Sequence, residues 1–258
     1  MSNATSNADS TPGTIRPGEA AHFGKLASEW WNPRGSSAML HKLNPVRLSF
    51  LRDAVDLHWH GDSRGLRPLD GKRALDVGCG AGLMCEPLAR LGAQMIGVDA
   101  ASENVCVAAA HAAGSSLSVD YRHGDIADPD FRSALGRFDL VTCCEVIEHV
   151  ADKPAFVAAL AGTLAPGGLM ILSTPNRTTR ARLFMIEAAE RLGMVPRGTH
   201  HWEDFVTPTE LADLLTAAGL VMGAPRGIGW SPLAGLHLSD DMALNYIVTA
   251  TAAGAAAA

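Results

Sequence analysis

The 258-residue sequence lacks a surplus of basic residues, since 21 Lys and Arg against 27 Asp and Glu give a formal net charge of -6. Without a broad basic surface, nucleic acid is not expected as a partner. No apolar stretch reaches the roughly 18 residues that a membrane span requires. The five cysteines form no CxxC pair, which argues against a zinc site or an iron–sulfur cluster. Because their number is odd and no signal peptide is recognisable, we expect a reducing compartment.

The most informative feature that the sequence does contain is a glycine-rich turn within residues 74–82. An apolar run ends there, and glycines follow at every second position, as Gly78, Gly80 and Gly82. Glycines so placed let the backbone turn tightly and approach a ligand closely. A second apolar run ends in the carboxylate of Asp99, about twenty residues further on. Together these features predict a nucleoside cofactor whose ribose lies on Asp99.

The spacing of the glycines discriminates between nucleoside cofactors. A dinucleotide fingerprint reads G-x-G-x-x-G, but Gly82 comes one residue early and Leu83 occupies the dinucleotide position. Asp76 precedes the turn by two residues, where a carboxylate is awkward beside a pyrophosphate but useful beside an ammonium group or a bound water. Both details favour S-adenosylmethionine, which is cationic and has no phosphate. Asp125, which follows a third predicted strand, is expected to hold the adenine amino group.

From residue 72 onward, short apolar runs alternate with helical patterns. This alternation predicts an α/β, Rossmann-like fold with a mostly parallel seven-stranded sheet and helices on both faces. The seven predicted strands are Arg73–Val77, Met95–Asp99, Ser118–Arg122, Phe138–Cys143, Leu169–Ser173, Leu220–Met222 and Asn245–Thr251. The alternation stops over residues 176–207, which form a long insertion, and such insertions are more often functional than idle.

The flanking regions are predicted to differ from this α/β domain of residues 72–250. Residues 22–71 read as an N-terminal helical cap, with Pro45 in the first turn of its last helix. Residues 1–21 are polar and residues 251–258 are low in complexity, so both ends are expected to be disordered.

The alternating region resembles class I S-adenosylmethionine-dependent methyltransferases over residues 72–173. Its matching motifs are the glycine-rich turn, Gly124-Asp125-Ile126, Phe138-Asp139-Leu140-Val141 and Leu164-Ala165-Pro166-Gly167-Gly168. Over residues 22–250 the chain is similar to a narrower family, the ubiquinone biosynthesis O-methyltransferases. That similarity rests on FGKLASEWW (23–31), LHKLNPVR (40–47), CEVIEHV (144–150), STPNR (173–177), MVPRGTH (194–200) and DMALNY (241–246).

The resemblance implies both an acceptor and a set of cofactor contacts. Members methylate catechol-type hydroxyls of polyprenylated rings at two steps, which implies 3-demethylubiquinol and 2-polyprenyl-6-hydroxyphenol as acceptors. Cofactor contacts are implied at Arg47, Gly78, Asp99 and Cys144, and the Arg47 guanidinium could hold the cofactor carboxylate through a bidentate pair. Cys144 stands where some relatives are expected to have methionine, so a backbone contact would persist there but a thioether contact would not. Two alternatives are a methyltransferase of a soluble phenol or amine and a non-catalytic scaffold.

The chemistry of the reaction points to Glu145, Glu148 and His149, which follow the fourth predicted strand. A phenol with a pKa of about 10 is a poor nucleophile until a base or a metal assists it. If the segment is helical, the three side chains lie on one side and could bind a divalent cation such as Mg²⁺, as the family resemblance also implies. In the alternative, the carboxylates are structural and His149 is the general base, with His200 and His201 as a second candidate.

Five arginines punctuate the insertion, and they are Arg177, Arg180, Arg182, Arg191 and Arg197. A helix over residues 179–193 would carry Leu183, Ile186 and Ala189 along one stripe, and an apolar centre with basic ends suits a membrane interface. The alternative is an amphipathic lid over the active site, and one helix could serve both purposes. We therefore expect a cytoplasmic protein associated peripherally with anionic lipid of the inner membrane. Other ubiquinone-biosynthesis proteins are further candidate partners.

Overall fold

The computed structural model describes residues 14, 17–35, 37–62, 64–184 and 201–254. Within these ranges the helices are α1 (Pro17–Lys25), α2 (Ala38–His58), α3 (Cys85–Arg90), α4 (Ser102–Gly114), α5 (Pro129–Leu135), α6 (Lys153–Thr163), α7 (Thr179–Ala181) and α8 (Pro208–Ala217). The strands are β1 (Arg73–Val77), β2 (Gln94–Asp99), β3 (Val119–His123), β4 (Phe138–Cys144), β5 (Leu164–Pro175), β6 (Leu220–Met222), β7 (Arg226–Ser231), β8 (Gly235–Ser239) and β9 (Asn245–Ala252). Short 3₁₀ helices cover Ala27–Glu29, Ile147–His149 and Trp202–Asp204.

The strands form one sheet in the order β3-β2-β1-β4-β5-β9-β7-β8, with β6 also paired to β9. Strands β1 to β5 are mutually parallel, and β9 runs antiparallel to β5. The strand order reverses between β1 and β4, which is the point where open α/β sheets bind ligands at the carboxyl ends of their strands. The predicted Rossmann-like fold is confirmed, and each of the seven predicted strands is present.

The expectation of seven strands is too low, because β7 and β8 form an additional hairpin at the edge of the sheet. Trp230 on β7 pairs with Leu236 on β8. Glycines and Pro232 give this segment the composition of a loop, which hides it from a strand pattern. A side chain at Gly227 would collide with the backbone of Asp241, so glycine is needed for β7 to lie against its neighbours.

The N-terminal cap differs from its prediction at Pro45, which lies inside one continuous helix, α2, and not in the first turn of a separate helix. Its buried residues recur every four positions across the proline, as Leu43, Arg47, Leu51 and Val55. One buried stripe thus spans the whole helix and offsets the backbone donor that the proline lacks. The ordered cap also starts earlier than expected, because α1 begins at Pro17 and not at residue 22.

The two faces of the sheet support two apolar cores. Val141 on β4 belongs to the core that packs α5, α6 and α8, whereas the adjacent Leu140 belongs to the core that packs α2 and α3. Successive residues of a strand point to opposite faces, so these cores cover the two sides of the sheet. The sheet is therefore buried on both faces and its carboxyl-terminal edge is left for ligands.

Candidate active site

The carboxyl ends of the parallel strands open onto a cavity of about 1110 Å³. Its walls come from the turn after β1, the ends of β2 and β4, helices α1 and α2, and the hairpin β7–β8. The predicted site residues that line it are Arg47, Asp76, Gly78, Asp99, Asp125, Cys144, Glu145 and His149. Gly80, Gly82 and Glu148 lie outside this lining. Residues from distant parts of the sequence thus line one cavity.

The glycine-rich turn has the backbone geometry that its composition predicts. Gly78 and Gly80 have φ angles of 72° and 53°, in the left-handed region that favours glycine. A Cβ atom at Gly80 would collide with the ring of Trp30, which the cap places against the turn. The Gly80 N–H donates a hydrogen bond of 2.8 Å to Oδ2 of Asp99. This bond ties the turn to the end of β2, so both predicted cofactor contacts belong to one rigid unit.

Hydrogen-bond donors of the protein itself fill most of the acceptor positions of the Asp99 carboxylate. Its Oδ1 accepts hydrogen bonds from the Ala101 N–H at 2.9 Å and from the Asn104 amide at 3.1 Å. Burial raises the pKa of Asp99, against the opposing effect of the hydrogen bonds from Ala101 and Gly80. A carboxylate has about four acceptor positions, so three protein bonds leave about one for a ribose hydroxyl.

Asp76 is a second buried acid on the cofactor side of the cavity. It accepts a hydrogen bond of 2.7 Å from the Thr142 hydroxyl, and the Cys85 thiol lies 3.5 Å from its other oxygen. Burial raises the pKa of Asp76 to about 6. At neutral pH the group is therefore mostly ionised and can stabilise a cation or orient a water.

Arg47 is a buried cation whose donors are only partly satisfied by the described residues. Its side chain is 3% exposed, and Nη1 donates to Oδ1 of Asn44 at 3.1 Å. Its Nη2 lies 3.0 Å from Oε1 of Glu145 without the geometry of a hydrogen bond, and among the described residues Nε has no acceptor. Buried donors without partners are costly, so the guanidinium fits an additional carboxylate in the cavity. This is the property that the cofactor's carboxylate requires.

Asp125 contacts the N-terminal segment. Its Oδ2 accepts a hydrogen bond of 3.1 Å from the Thr14 N–H, and its Oδ1 accepts one of 2.8 Å from the Ala127 N–H. Thr14 is 2% exposed, and its carbonyl accepts from the Ala151 N–H at 2.9 Å. Thr14 therefore lies beside Asp125, where the adenine amino group is expected.

Glu145 follows Cys144, the last residue of β4, in a backbone conformation that is rare for a side-chain-bearing residue. Its φ angle is 57°, a strained conformation that persists only where the surrounding contacts offset its cost. The Ser173 hydroxyl donates to Oε1 at 2.9 Å, and the Asn245 amide lies 2.9 Å from both oxygens. With Arg47 also at 3.0 Å, this carboxylate is fixed by three neighbouring elements.

Glu148, His149 and Glu19 are titratable groups that follow one another in a row, with the His149 ring between the two carboxylates. Thr174 donates to Oε2 of Glu148 at 2.9 Å, and Oε1 lies 4.0 Å from Nε2 of His149. Nδ1 of His149 lies 3.1 Å from Oε2 of Glu19 on α1. Burial alone would lower the pKa of His149, but Glu19, Glu148 and Glu145 together raise it. Burial, and then the charge of Glu145, raises the pKa of Glu148.

Comparison with known proteins decides the family. A family profile described as "Methyltransferase domain" matches residues 50–223. A ubiquinone biosynthesis O-methyltransferase from Bradyrhizobium sp. (strain ORS 278) is 47% identical over 244 residues, which are 93% of this chain and 95% of the relative. A protein of the same name from Rhodopseudomonas palustris (strain BisB18) is 45% identical over 257 residues, or 98% and 100% of the two chains. The chain belongs to the ubiquinone biosynthesis O-methyltransferase family.

Membership of this O-methyltransferase family confirms the resemblance and makes the chain an S-adenosylmethionine-dependent enzyme. Solved structures support the fold. Magnesium protoporphyrin IX methyltransferase from Synechocystis PCC 6803 with bound SAH aligns with a TM-score of 0.61 at 19% identity, covering 90% of this chain and 94% of that one. An S-adenosylmethionine-dependent methyltransferase from Clostridium acetobutylicum ATCC 824 aligns with a TM-score of 0.59 at 14% identity, covering 91% and 99%.

The metal site expected of this O-methyltransferase, formed by Glu145, Glu148 and His149, is not assembled in the structure. In the part of the chain that is described, no group of three or more His, Cys, Asp or Glu side chains has an arrangement suited to a metal ion. The physical reason is that the Glu145 carboxylate already pairs with Arg47 and accepts hydrogen bonds from Ser173 and Asn245. The three residues therefore do not fit a shared cation in this arrangement.

Several residues in or beside this O-methyltransferase's cavity are not predicted as site residues from the sequence. Glu19 and Thr14 precede the predicted cap, and Asn245 lies 100 positions from its partner Glu145. Phe23 packs edge-on against the ring of His149, with centroids 5.1 Å apart. No local spacing links such residues, so only the tertiary structure reveals them.

The insertion of this O-methyltransferase is described only at its two ends. Helix α7 starts the predicted insertion helix at Thr179, but residues 185–200, with Arg191, Arg197 and His200, lie outside the described ranges. The neighbouring His201 is exposed and does not line the cavity. Among the described helices, none is both long and apolar enough for a membrane crossing.

Proposed function

We propose that this chain methylates a catechol-type hydroxyl of polyprenylated rings in ubiquinone biosynthesis, with 3-demethylubiquinol and 2-polyprenyl-6-hydroxyphenol as acceptors. The observation that carries the proposal is the single cavity that joins the glycine-rich turn and Arg47 to His149 and to apolar walls. Its volume, about 1110 Å³, is large for one drug-sized ligand and suits a cofactor and a ring side by side. The names of the relatives support the pathway and the phenolic class of acceptor.

The cofactor side of this proposal rests on residues with free binding capacity. Arg47 would bind the cofactor carboxylate through its unsatisfied donors, and Asp99 would bind the ribose through its remaining acceptor position. Gly78 allows the backbone to approach closely, while Asp125 borders the adenine position together with Thr14. Bound S-adenosylmethionine supplies an activated methyl group and a good leaving group. The protein's task is then to align the reactants and exclude water.

The acceptor side requires a base, and His149 is the residue proposed for it. The imidazole lines the cavity and would take the phenolic proton as the methyl group is transferred. Glu19 would orient the ring and stabilise the imidazolium that forms, through its contact with Nδ1 at 3.1 Å. Glu145 is assigned a positioning role between Arg47 and the end of β9. No step of this mechanism is assigned to a metal ion.

The decisive experiment is methyl transfer from labelled S-adenosylmethionine to three acceptors, in buffers with and without Mg²⁺. The acceptors are short-chain 3-demethylubiquinol, a prenylated 6-hydroxyphenol and an unprenylated catechol. We expect label on oxygen with the first two and a lower kcat/KM with the third. Transfer to the unprenylated catechol alone would favour a methyltransferase of soluble phenols. Cofactor binding without transfer to any acceptor would favour a scaffold.

We also propose that the insertion brings the enzyme to the anionic surface of the inner membrane, where a polyprenylated acceptor resides. At its first described end, Leu183 and Phe184 are about half exposed and come just after Arg180 and Arg182. An apolar pair beside basic groups is the pattern of an interfacial segment. Arg180 also pairs with Asp241 at 2.9 Å, and Arg182 lies 5.9 Å from the centre of the Trp202 ring.

Charge reversal at Arg180 and Arg182 is expected to weaken binding to liposomes that contain phosphatidylglycerol by about tenfold or more, because each basic residue near such a surface contributes about 1 kcal/mol. Flotation of wild-type and variant protein measures the effect. Arg67→Glu is a matched control, since Arg67 is similarly exposed and pairs with Asp70 at 3.0 Å outside the insertion. Equal flotation of all three proteins would contradict the membrane proposal.

A further inference from the structure

Large apolar side chains at the outer end of the cavity are left in solvent. Trp230 is 65% exposed and Phe184 is 52% exposed, yet both line the same cavity as His149. Single exposed apolar residues are common on protein surfaces, but these two share a cavity with the reactive groups. The apolar rim is therefore part of the site's architecture.

The hairpin β7–β8 builds this rim as a continuation of the cavity wall. Ile228, Trp230 and Leu236 follow the two-residue period that places them on one face, and all three line the cavity. Ile228 is 2% exposed and belongs to the core that packs α2, so the inner end of the face is anchored. Exposure then increases outward along β7 from Ile228 to Trp230. The face forms an apolar path from the buried site to solvent.

Resting on the proposed function, we propose that this path, formed by Ile228, Trp230 and Leu236 of the hairpin and by Phe184, binds the first isoprene units of the acceptor's chain. A ring held near His149 must send its aliphatic substituent out of the cavity. The chain carries no polar group, so apolar walls and not hydrogen bonds must contact it. Aromatic rings at the exit provide a large contact area at a low cost in side-chain entropy.

The position of Leu233 separates a chain-binding role from general contact with a lipid surface. Leu233 lies in the turn of the same hairpin and is fully exposed, but it does not line the cavity. A membrane that rested on the hairpin would contact this protruding turn. A chain that leaves the cavity along the wall would contact Trp230 and Leu236. The two residues Trp230 and Leu233 thus make a matched pair for mutation.

The test compares kcat/KM for an unprenylated catechol and for the same ring with a geranyl substituent, in the absence of lipid. We expect wild type to prefer the geranyl acceptor, and Trp230→Ser to lower that preference by about 5- to 20-fold. Leu233→Ser is expected to keep the preference of wild type. Leu236→Ala gives a second test of the wall, and thermal unfolding and cofactor binding verify that each variant is folded.

An unchanged preference in both Trp230→Ser and Leu236→Ala would overturn the chain-binding role. The role would also be overturned if Trp230→Ser lowered activity on both acceptors equally, or if Trp230→Ser and Leu233→Ser changed activity only when liposomes were present. That last outcome would assign the hairpin to lipid. Failure of the wild type to methylate any prenylated ring would overturn the proposed function itself, whatever the variants do.

Discussion

Replacing Arg47 by methionine is expected to raise the KM for S-adenosylmethionine by about 10- to 100-fold. A hydrogen bond between charged groups contributes about 1.5–3 kcal/mol, and each 1.4 kcal/mol is a factor of ten in affinity. The guanidinium is 3% exposed and has donors without acceptors in the described part of the chain, so little solvent competes for them. Methionine has a similar length and keeps the packing of α2 while removing the charge. Cofactor titration by calorimetry measures the change.

The same substitution leaves the Glu145 carboxylate without its nearby cation, which is expected to lower the free energy of unfolding. The double variant Arg47→Met/Glu145→Gln removes both charges and should recover part of that stability while cofactor binding stays weak. Arg52→Met is the matched control, because Arg52 lies on the same helix and pairs with Asp56 at 2.7 Å outside the cavity. Cofactor affinity equal to that of wild type in Arg47→Met would refute the assignment of Arg47 to the cofactor.

Replacing His149 by alanine is expected to lower kcat by about 10²- to 10⁴-fold, the usual contribution of a positioned general base. Cofactor affinity should change little, because the imidazole lies beside Glu148 and Glu19 and not at the glycine-rich turn. His201→Ala is the control and should retain wild-type activity, since His201 is exposed and does not line the cavity. A small loss of kcat in His149→Ala combined with a large loss in His201→Ala would transfer the role to the second candidate.

Glu19 supplies a finer test of the same base through pH dependence. A general base must be neutral, so activity rises as the pH passes above the pKa of His149, which is raised above its usual value by its acidic neighbours. Glu19→Gln removes one of these negative charges and should lower that pKa, moving the acid limb of the kcat profile to lower pH. The plateau should also fall, because the imidazole loses its orienting carboxylate. Glu19→Asp should restore part of the plateau.

The assignments behind these predictions come partly from local sequence patterns and partly from contacts in the folded chain. The local patterns were the more reliable guide to the fold. The three glycines and the alternation of apolar runs predicted the turn after β1 and seven of the described strands correctly. Each of these signals reflects a constraint within one element: a positive φ angle, or the two-residue and 3.6-residue periods of strand and helix. Such constraints act on neighbouring residues, so they remain visible in the sequence.

The expected grouping of Glu145, Glu148 and His149 and the expected number of strands differ from the structure for a different reason. The spacing of Glu145, Glu148 and His149 predicted three groups on one side of a helix, but the segment contains only the 3₁₀ turn Ile147–His149. Glu145 lies before that turn with a left-handed backbone, which directs its carboxylate to Arg47 and Asn245. The hairpin β7–β8 was not predicted, because glycine-rich strands lack the apolar alternation by which a strand is recognised in a sequence.

By itself, the sequence determined the cofactor class, the parallel sheet and the family, since each follows from motifs whose residues are close together along the chain. Only the tertiary structure decided that Arg47 has donors without acceptors among the described residues, that Glu19 contacts His149 and that an apolar hairpin continues the cavity. These properties depend on distances between elements and on burial, which set hydrogen-bond satisfaction and pKa. Neither quantity exists until the chain has folded, and so no local pattern records them.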